Sequence, residues 1–82
     1  MKAIRILVAE DENVVRDGVV AILSYQSDMK VVAEAGDGAK AVELARQHKP
    51  DVVLLDLQMP RLTGLEAIPR LLAASSKSNF FV

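Results

Sequence analysis

Cysteine is absent from this 82-residue chain, which excludes both a disulfide framework and a thiolate metal site. That fits a cytoplasmic setting. Aromatic residues make up only 4% of the sequence against a hydrophobic content of 51%, so the core is aliphatic and the chain is not a disordered one. Charge of one sign is lacking too. The formal net charge is −1 and no basic cluster appears, which argues against direct nucleic-acid binding by this segment. The apolar run after Met1-Lys2-Ala3-Ile4-Arg5 is too short for a signal peptide or a membrane helix, so no membrane association is expected. Internal repeats are missing, and low complexity is confined to Ser75-Ser76-Lys77-Ser78. A chain of this size supplies one small domain with marginal core burial.

What the sequence does contain is an organising stretch from Asp51 to Gly64. Val52-Val53-Leu54-Leu55 runs straight into Asp56, and Pro60 and Gly64 follow. Four consecutive apolar residues read as a strand buried on both faces, as in a parallel sheet. Such a strand delivers Asp56 to the carboxyl edge of the sheet, where open α/β folds bind ligands. A charge there adds nothing to the burial of the strand, so Asp56 is read as functional.

Along the chain, Ile4 to Ala9 reads as a first strand ending in Glu10-Asp11-Glu12. Val15, Val19, Ile22 and Leu23 then recur on one face of a helix capped by Asn13. Ser27-Asp28 marks a turn, and Val31 to Ala35 a second strand. Gly36-Asp37-Gly38 precedes a second helix with Val42 and Ala45 inward and Pro50 past its end. After the third strand, Thr63 and Glu66 form a capping box for a third helix with Leu65, Ile68 and Leu72 inward and a kink at Pro69. Asn79 to Val82 begins a fourth strand. Strands alternating with helices of roughly 10 to 13 residues imply an α/β fold, a doubly wound parallel sheet with right-handed crossovers. Strands one and three become neighbours, and Glu10, Asp11 and Asp56 converge at one carboxyl edge.

Three carboxylates in one crevice repel, each pair by roughly 3 kcal/mol at about 5 Å and an effective dielectric near 20. Protonation, a nearby Lys or Arg, or a bound cation relieves this. An all-oxygen donor set suits Mg²⁺ or Mn²⁺ rather than zinc. Beside such an ion, a carboxylate can attack a phosphoryl group in line and form a transient acyl phosphate on Asp56.

At this point the residues carry a likeness. The Ala9-Glu10-Asp11-Glu12 turn, the Leu54-Leu55-Asp56-Leu57-Gln58-Met59-Pro60 segment and Thr63-Gly64 together resemble the receiver domain of two-component response regulators. The Gly36-Asp37-Gly38-Ala39-Lys40-Ala41 and Lys49-Pro50-Asp51 junctions are similar to it as well. This likeness runs from Ile4 to about Leu72 and looks closest to regulators with a helix-turn-helix output domain. It implies a flavodoxin/receiver-like fold, with Asp56 accepting a phosphoryl group from a sensor histidine kinase. Asp11 would bind Mg²⁺ directly, Glu10 through water, and Gln58 through its backbone carbonyl. Pro60 and Gly64 match the residues that shape the loop after the acceptor strand.

The family also has a Ser or Thr closing its fourth strand and a Lys closing its fifth. Ser75, Ser76, Ser78 and Lys77 all precede the final apolar run, so none matches either role. Residues 1–82 are therefore expected to be the N-terminal part of a receiver domain, incomplete, with about three to four strands and three helices. Impaired phosphoryl chemistry is expected, as is self-association of a sheet with an open edge.

Plainer roles are assigned elsewhere. Glu12 favours the helix N-terminus through its dipole, Gly36 and Gly38 punctuate a turn, and His48 is a helix-terminal surface residue. Met59 packs under the acceptor loop, and Tyr25 caps the core at the end of helix one. Two other functions remain open: an inactive receiver-like fragment acting as an interaction module, and a Mg²⁺-dependent phosphohydrolase fragment. The latter usually wants a second Asp two residues after the nucleophile, where Gln58 stands.

Overall fold

The computed structural model of the chain describes residues 3–55, 69–70 and 79–81. In chain order the elements are β1 (Ile4–Ala9), α1 (Asn13–Ser24), β2 (Met29–Ala35), α2 (Gly38–His48), β3 (Val52–Leu55) and β4 (Asn79–Phe81). The four strands form one sheet in the order β2-β1-β3-β4, every pair parallel. From β1 the chain first steps to β2 on one side, then returns across to β3 on the other. Two crossovers of one hand running in opposite directions place α1 and α2 on opposite faces of the sheet. This is the doubly wound α/β arrangement expected, and the direction of winding reverses between β1 and β3.

β1 is central because its last four residues are apolar on both of its faces. Ile6, Leu7, Val8 and Ala9 are all buried, Leu7 and Ala9 toward α2 and Ile6 and Val8 toward α1, as the two-residue period of a strand requires. The α2 layer holds Leu7, Ala9, Ala33, Ala35, Val53 and Leu55 against Ala41 and Ala45. Methyl side chains from both helix and sheet bring α2 close to the strands. In β3, Val53 and Leu55 are buried, whereas Val52 and Leu54 are half-buried.

β2 carries an irregularity. Ile6 pairs with Val31 but Leu7 pairs with Ala33, so Val32 is an extra residue. The bulge brings Ala33 and Ala35 to the α2 side. Asp37 caps α2, its side chain accepting from the Lys40 N–H at 2.7 Å. Lys49 ends that helix in a left-handed conformation, its N–H bonded to Ala45 O at 2.8 Å. Arg5 then ties the corner to β1. Its N–H donates to Asp51 Oδ2 (2.9 Å), its Nη1 to Lys49 O (3.1 Å), and its carbonyl accepts from Asp51 N (2.8 Å).

Several expectations need correction. The helix-1 cap is Glu12, whose side chain makes no capping bond, and Asn13 is the first helical residue. The inward face of α1 is only half the one expected: Val19 and Leu23 are half-buried, but Val15 is 43% and Ile22 67% exposed. Arg16 and Val20 complete the half-buried face. Tyr25 caps no core, being 87% exposed. β2 begins at Met29, two residues earlier than Val31. On the expected third helix, Pro69 and Arg70 are helical and exposed; Thr63, Leu65, Glu66, Ile68 and Leu72 lie outside the described residues.

Candidate functional site

The carboxyl ends of β1 and β3 lie side by side, because Ala9 pairs with Leu55 in parallel register. Here the winding reverses between the two strands, the kind of switch point at which open α/β sheets bind their ligands. Glu10 and Asp11 leave β1 at this edge. Asp56, the next residue in sequence after Leu55, lies outside the described residues, as do Gln58, Met59, Pro60 and Gly64.

Glu10 is tightly held. Its N–H donates to Ala35 O at 3.0 Å, extending the β1–β2 ladder by one bond. Its carbonyl accepts from Arg16 Nη1 at 2.8 Å, and its Oε2 accepts from the Glu12 N–H at 3.1 Å. Asp11 differs, being exposed and without a hydrogen bond or ion pair among the described residues. Glu12 starts α1, its carbonyl accepting from the Arg16 N–H at 2.9 Å.

Arg16 went unnoticed in the sequence. Its Nη2 donates to Asn13 Oδ1 at 2.5 Å and its Nε lies 3.6 Å from Glu34 Oε1. Glu34 pairs with Val8 in register and so projects on the α1 side of the sheet. The only hint in the sequence is spacing: Arg16 falls three residues after Asn13, one helical turn along the same side.

Of the residues expected at the site, the structure brings Glu10 and Asp11 to the carboxyl end of β1, beside the end of β3. Among the described residues no group of three or more His, Cys, Asp or Glu side chains forms a metal cluster, and no helix is long and apolar enough to cross a membrane. His48 is the half-buried last residue of α2, remote in sequence from the acidic turn.

A doubly wound parallel sheet with adjacent acids at its switch point defines an α/β domain of the flavodoxin/receiver-like class. The family model described as the response regulator receiver domain matches residues 6–82, and the chain belongs to that family, the receiver domains of two-component signalling systems. It is similar to the transcriptional regulatory protein YxjL of Bacillus subtilis, 46% identical over 79 residues, covering 96% of this chain and 36% of that protein. A protein-glutamate methylesterase/protein-glutamine glutaminase of Nitrosospira multiformis is 47% identical over 64 residues, covering 78% of this chain and 18% of the relative. Among solved structures, the signal receiver domain of the putative response regulator NarL from Mycobacterium tuberculosis superposes with a TM-score of 0.91 at 36% identity, covering 98% of this chain and 64% of that one. The chain thus spans about a third or less of the curated relatives named.

Proposed function

We propose that Asp56 is the phosphoacceptor of this receiver domain, taking a phosphoryl group from a sensor histidine kinase. The observation that carries the reading is the Ala9–Leu55 pairing. Consecutive Cα atoms are about 3.8 Å apart and adjacent strands about 4.8 Å, so the Cα atoms of Glu10 and Asp56 lie within roughly 12 Å of each other. Carboxylates reaching in from both strand ends can then share one crevice.

In the transfer, a carboxylate oxygen of Asp56 attacks phosphorus as the bond to the kinase's histidine nitrogen breaks. That nitrogen leaves with the electron pair, and the product is an acyl phosphate. The residues at the edge fit a hard divalent cation: the donors are all oxygen, and the exposed Asp11 carboxylate has no competing partner among the described residues. Asp11, Asp56 and the Gln58 backbone carbonyl would hold Mg²⁺ or Mn²⁺ directly, and Glu10 through water. When bound, the ion neutralises charge on the phosphoryl oxygens. Asp11 and Glu10 contribute negative charge and oriented acceptors, and no side chain needs to take up a proton.

The longer relatives support a signalling role in which phosphorylation of this domain regulates an output, transcription in the case of regulators similar to YxjL. The methylesterase relative shows that a similar segment also occurs in an enzyme, so the output is a separate matter from the chemistry of this domain. We place the domain in the cytoplasm. Self-association belongs to the same reading, since β2 forms an outer edge of the sheet and edge strands offer backbone groups to a second copy.

Incubation with Mg²⁺ and acetyl phosphate, followed by intact-mass measurement, tests the acceptor. The expected result is a hydroxylamine-labile increment of one phosphoryl group that is absent in Asp56→Asn. Sustained release of phosphate would point instead to a hydrolase, and no adduct to an interaction module.

A further inference from the structure

We propose that Arg16 is a positioning residue for the acidic turn: its guanidinium fixes the peptide between Glu10 and Asp11 and so sets where both carboxylates point. The proposal rests on the metal-site reading above and adds to it a residue from a different element.

The Glu10 carbonyl belongs to the peptide that joins Glu10 to Asp11. Arg16 Nη1 donates to that oxygen at 2.8 Å, which restrains ψ of Glu10 and φ of Asp11 together. Those two dihedrals orient the Cα–Cβ bonds of both acids. On its other side, Glu10 is anchored by its N–H to Ala35 O, so the residue is pinned to β2 before it and to α1 after it.

All three guanidinium nitrogens are engaged with different segments: Nη1 with Glu10, Nη2 with Asn13 and Nε with Glu34. A planar fork can serve three directions at once; a lysine ammonium at the end of a flexible stem cannot hold the same geometry. The side chain is only 19% exposed, against 45% for Glu34. Its neighbours on this side of α1 are Val19, Val20 and Leu23, where an aliphatic residue would pack without the desolvation cost of a charge. Gly36 makes room for it. A Cβ on Gly36 would stand 3.3 Å from Nη1, so a side chain there presses on the guanidinium and shifts it by a few tenths of an ångström.

The sign of one measurement separates positioning from simple charge. A cation near the acidic turn repels a metal ion, so if Arg16 acted only as a charge, removing it would strengthen metal binding. Positioning predicts the reverse. Titration of the chain with Mn²⁺, followed by electron paramagnetic resonance of the free ion, should show Arg16→Met and Arg16→Lys binding at least about tenfold more weakly, the scale seen when groups supporting metal ligands are removed. Gly36→Ala, which keeps the charge, should weaken binding to a smaller extent. Metal-free ¹⁵N relaxation gives an independent readout. The Asp11 amide should be ordered in the parent chain, and mobile in Arg16→Lys and Arg16→Met. Unchanged or tighter Mn²⁺ binding in the Arg16 variants, or an Asp11 amide indifferent to them, overturns the proposal. Should the parent chain bind no Mn²⁺ while Asp11 order still depends on Arg16, the metal-site reading fails and the positioning role stands.

Discussion

Ala9 and Leu55 face each other at the last paired rung of β1 and β3. Every residue that follows them in either strand therefore starts from the same edge of the sheet, and the acidic turn begins one residue beyond that rung. Of the two acids nearest that rung, Glu10 is half-buried and Asp11 exposed, so Asp11 is the one best placed to give up water for a cation. Asp11→Asn should weaken Mn²⁺ or Mg²⁺ binding by about tenfold or more, since the roughly 3 kcal/mol or more that its charge is worth to a cation about 5 Å away at an effective dielectric near 20 is cut back by solvent and salt at this exposed position. Calorimetric titration measures the loss. Thermal unfolding of the metal-free chain should change by less than about 0.5 kcal/mol, as for other surface substitutions.

Leu7 is fully buried at the centre of the α2 layer, with Val53 beside it. Leu7→Ala should destabilise the chain by about 2–5 kcal/mol, from lost transfer free energy and the cavity left behind. Ala45, also fully buried, tests the opposite limit. Ala45→Leu should cost about 1–3 kcal/mol, because the close approach of α2 leaves no volume for a larger side chain. Urea unfolding followed by circular dichroism reads both.

The two helices differ at their N-termini. Asp37→Ala removes a bond to the Lys40 N–H and should cost about 1 kcal/mol, whereas Asp37→Asn should recover most of it. Glu12→Ala removes no capping bond and should fall within about 0.5 kcal/mol of the parent. The contrast between the two alanine variants in denaturant midpoint is the decisive quantity.

Adjacent positions on α1, both expected on its inner face, separate the part of that expectation that holds from the part that does not. Ile22 is 67% exposed and Leu23 half-buried. Ile22→Ala should change stability by less than about 0.5 kcal/mol, and Leu23→Ala by clearly more. Equal, large losses would mean that both residues belong to the core.

The strands were legible because their chemistry is uniform. Residues 6–9 and Val52–Leu55 are apolar runs, and only a sheet covered on both faces uses residues such as Ile6, Leu7, Val8 and Ala9 consecutively. From their alternation with helices the neighbourhood of β1 and β3 followed. The second helix was legible from Asp37 and from Pro50 beyond its end. α1 was read right at Val19 and Leu23 and wrong at Val15 and Ile22, for a physical reason. Val14, Val15, Ile22 and Tyr25 are exposed while Val19, Val20 and Leu23 turn inward, so apolar residues occupy most of its circumference and periodicity alone cannot choose a face. An arginine occupies part of the inner face, and an isolated arginine in a helix reads as solvated until its partners are seen. At the candidate site, Glu10 and Asp11 stand at the carboxyl end of β1, beside the end of β3, because the strand order brings those two ends together.

Lys49 adopts φ 45° and ψ 62°, a conformation that costs an L-residue roughly 1–2 kcal/mol relative to the right-handed one. The tilt turns its carbonyl toward the Arg5 guanidinium, so that cost is incurred at the knot joining the exit of α2 to the start of β1. Evolutionary drift at this corner should then be lopsided. Descendants carrying Asn or Gly at 49 would be accommodated readily, whereas Val, Ile or Thr would be purged even though the side chain itself faces open water.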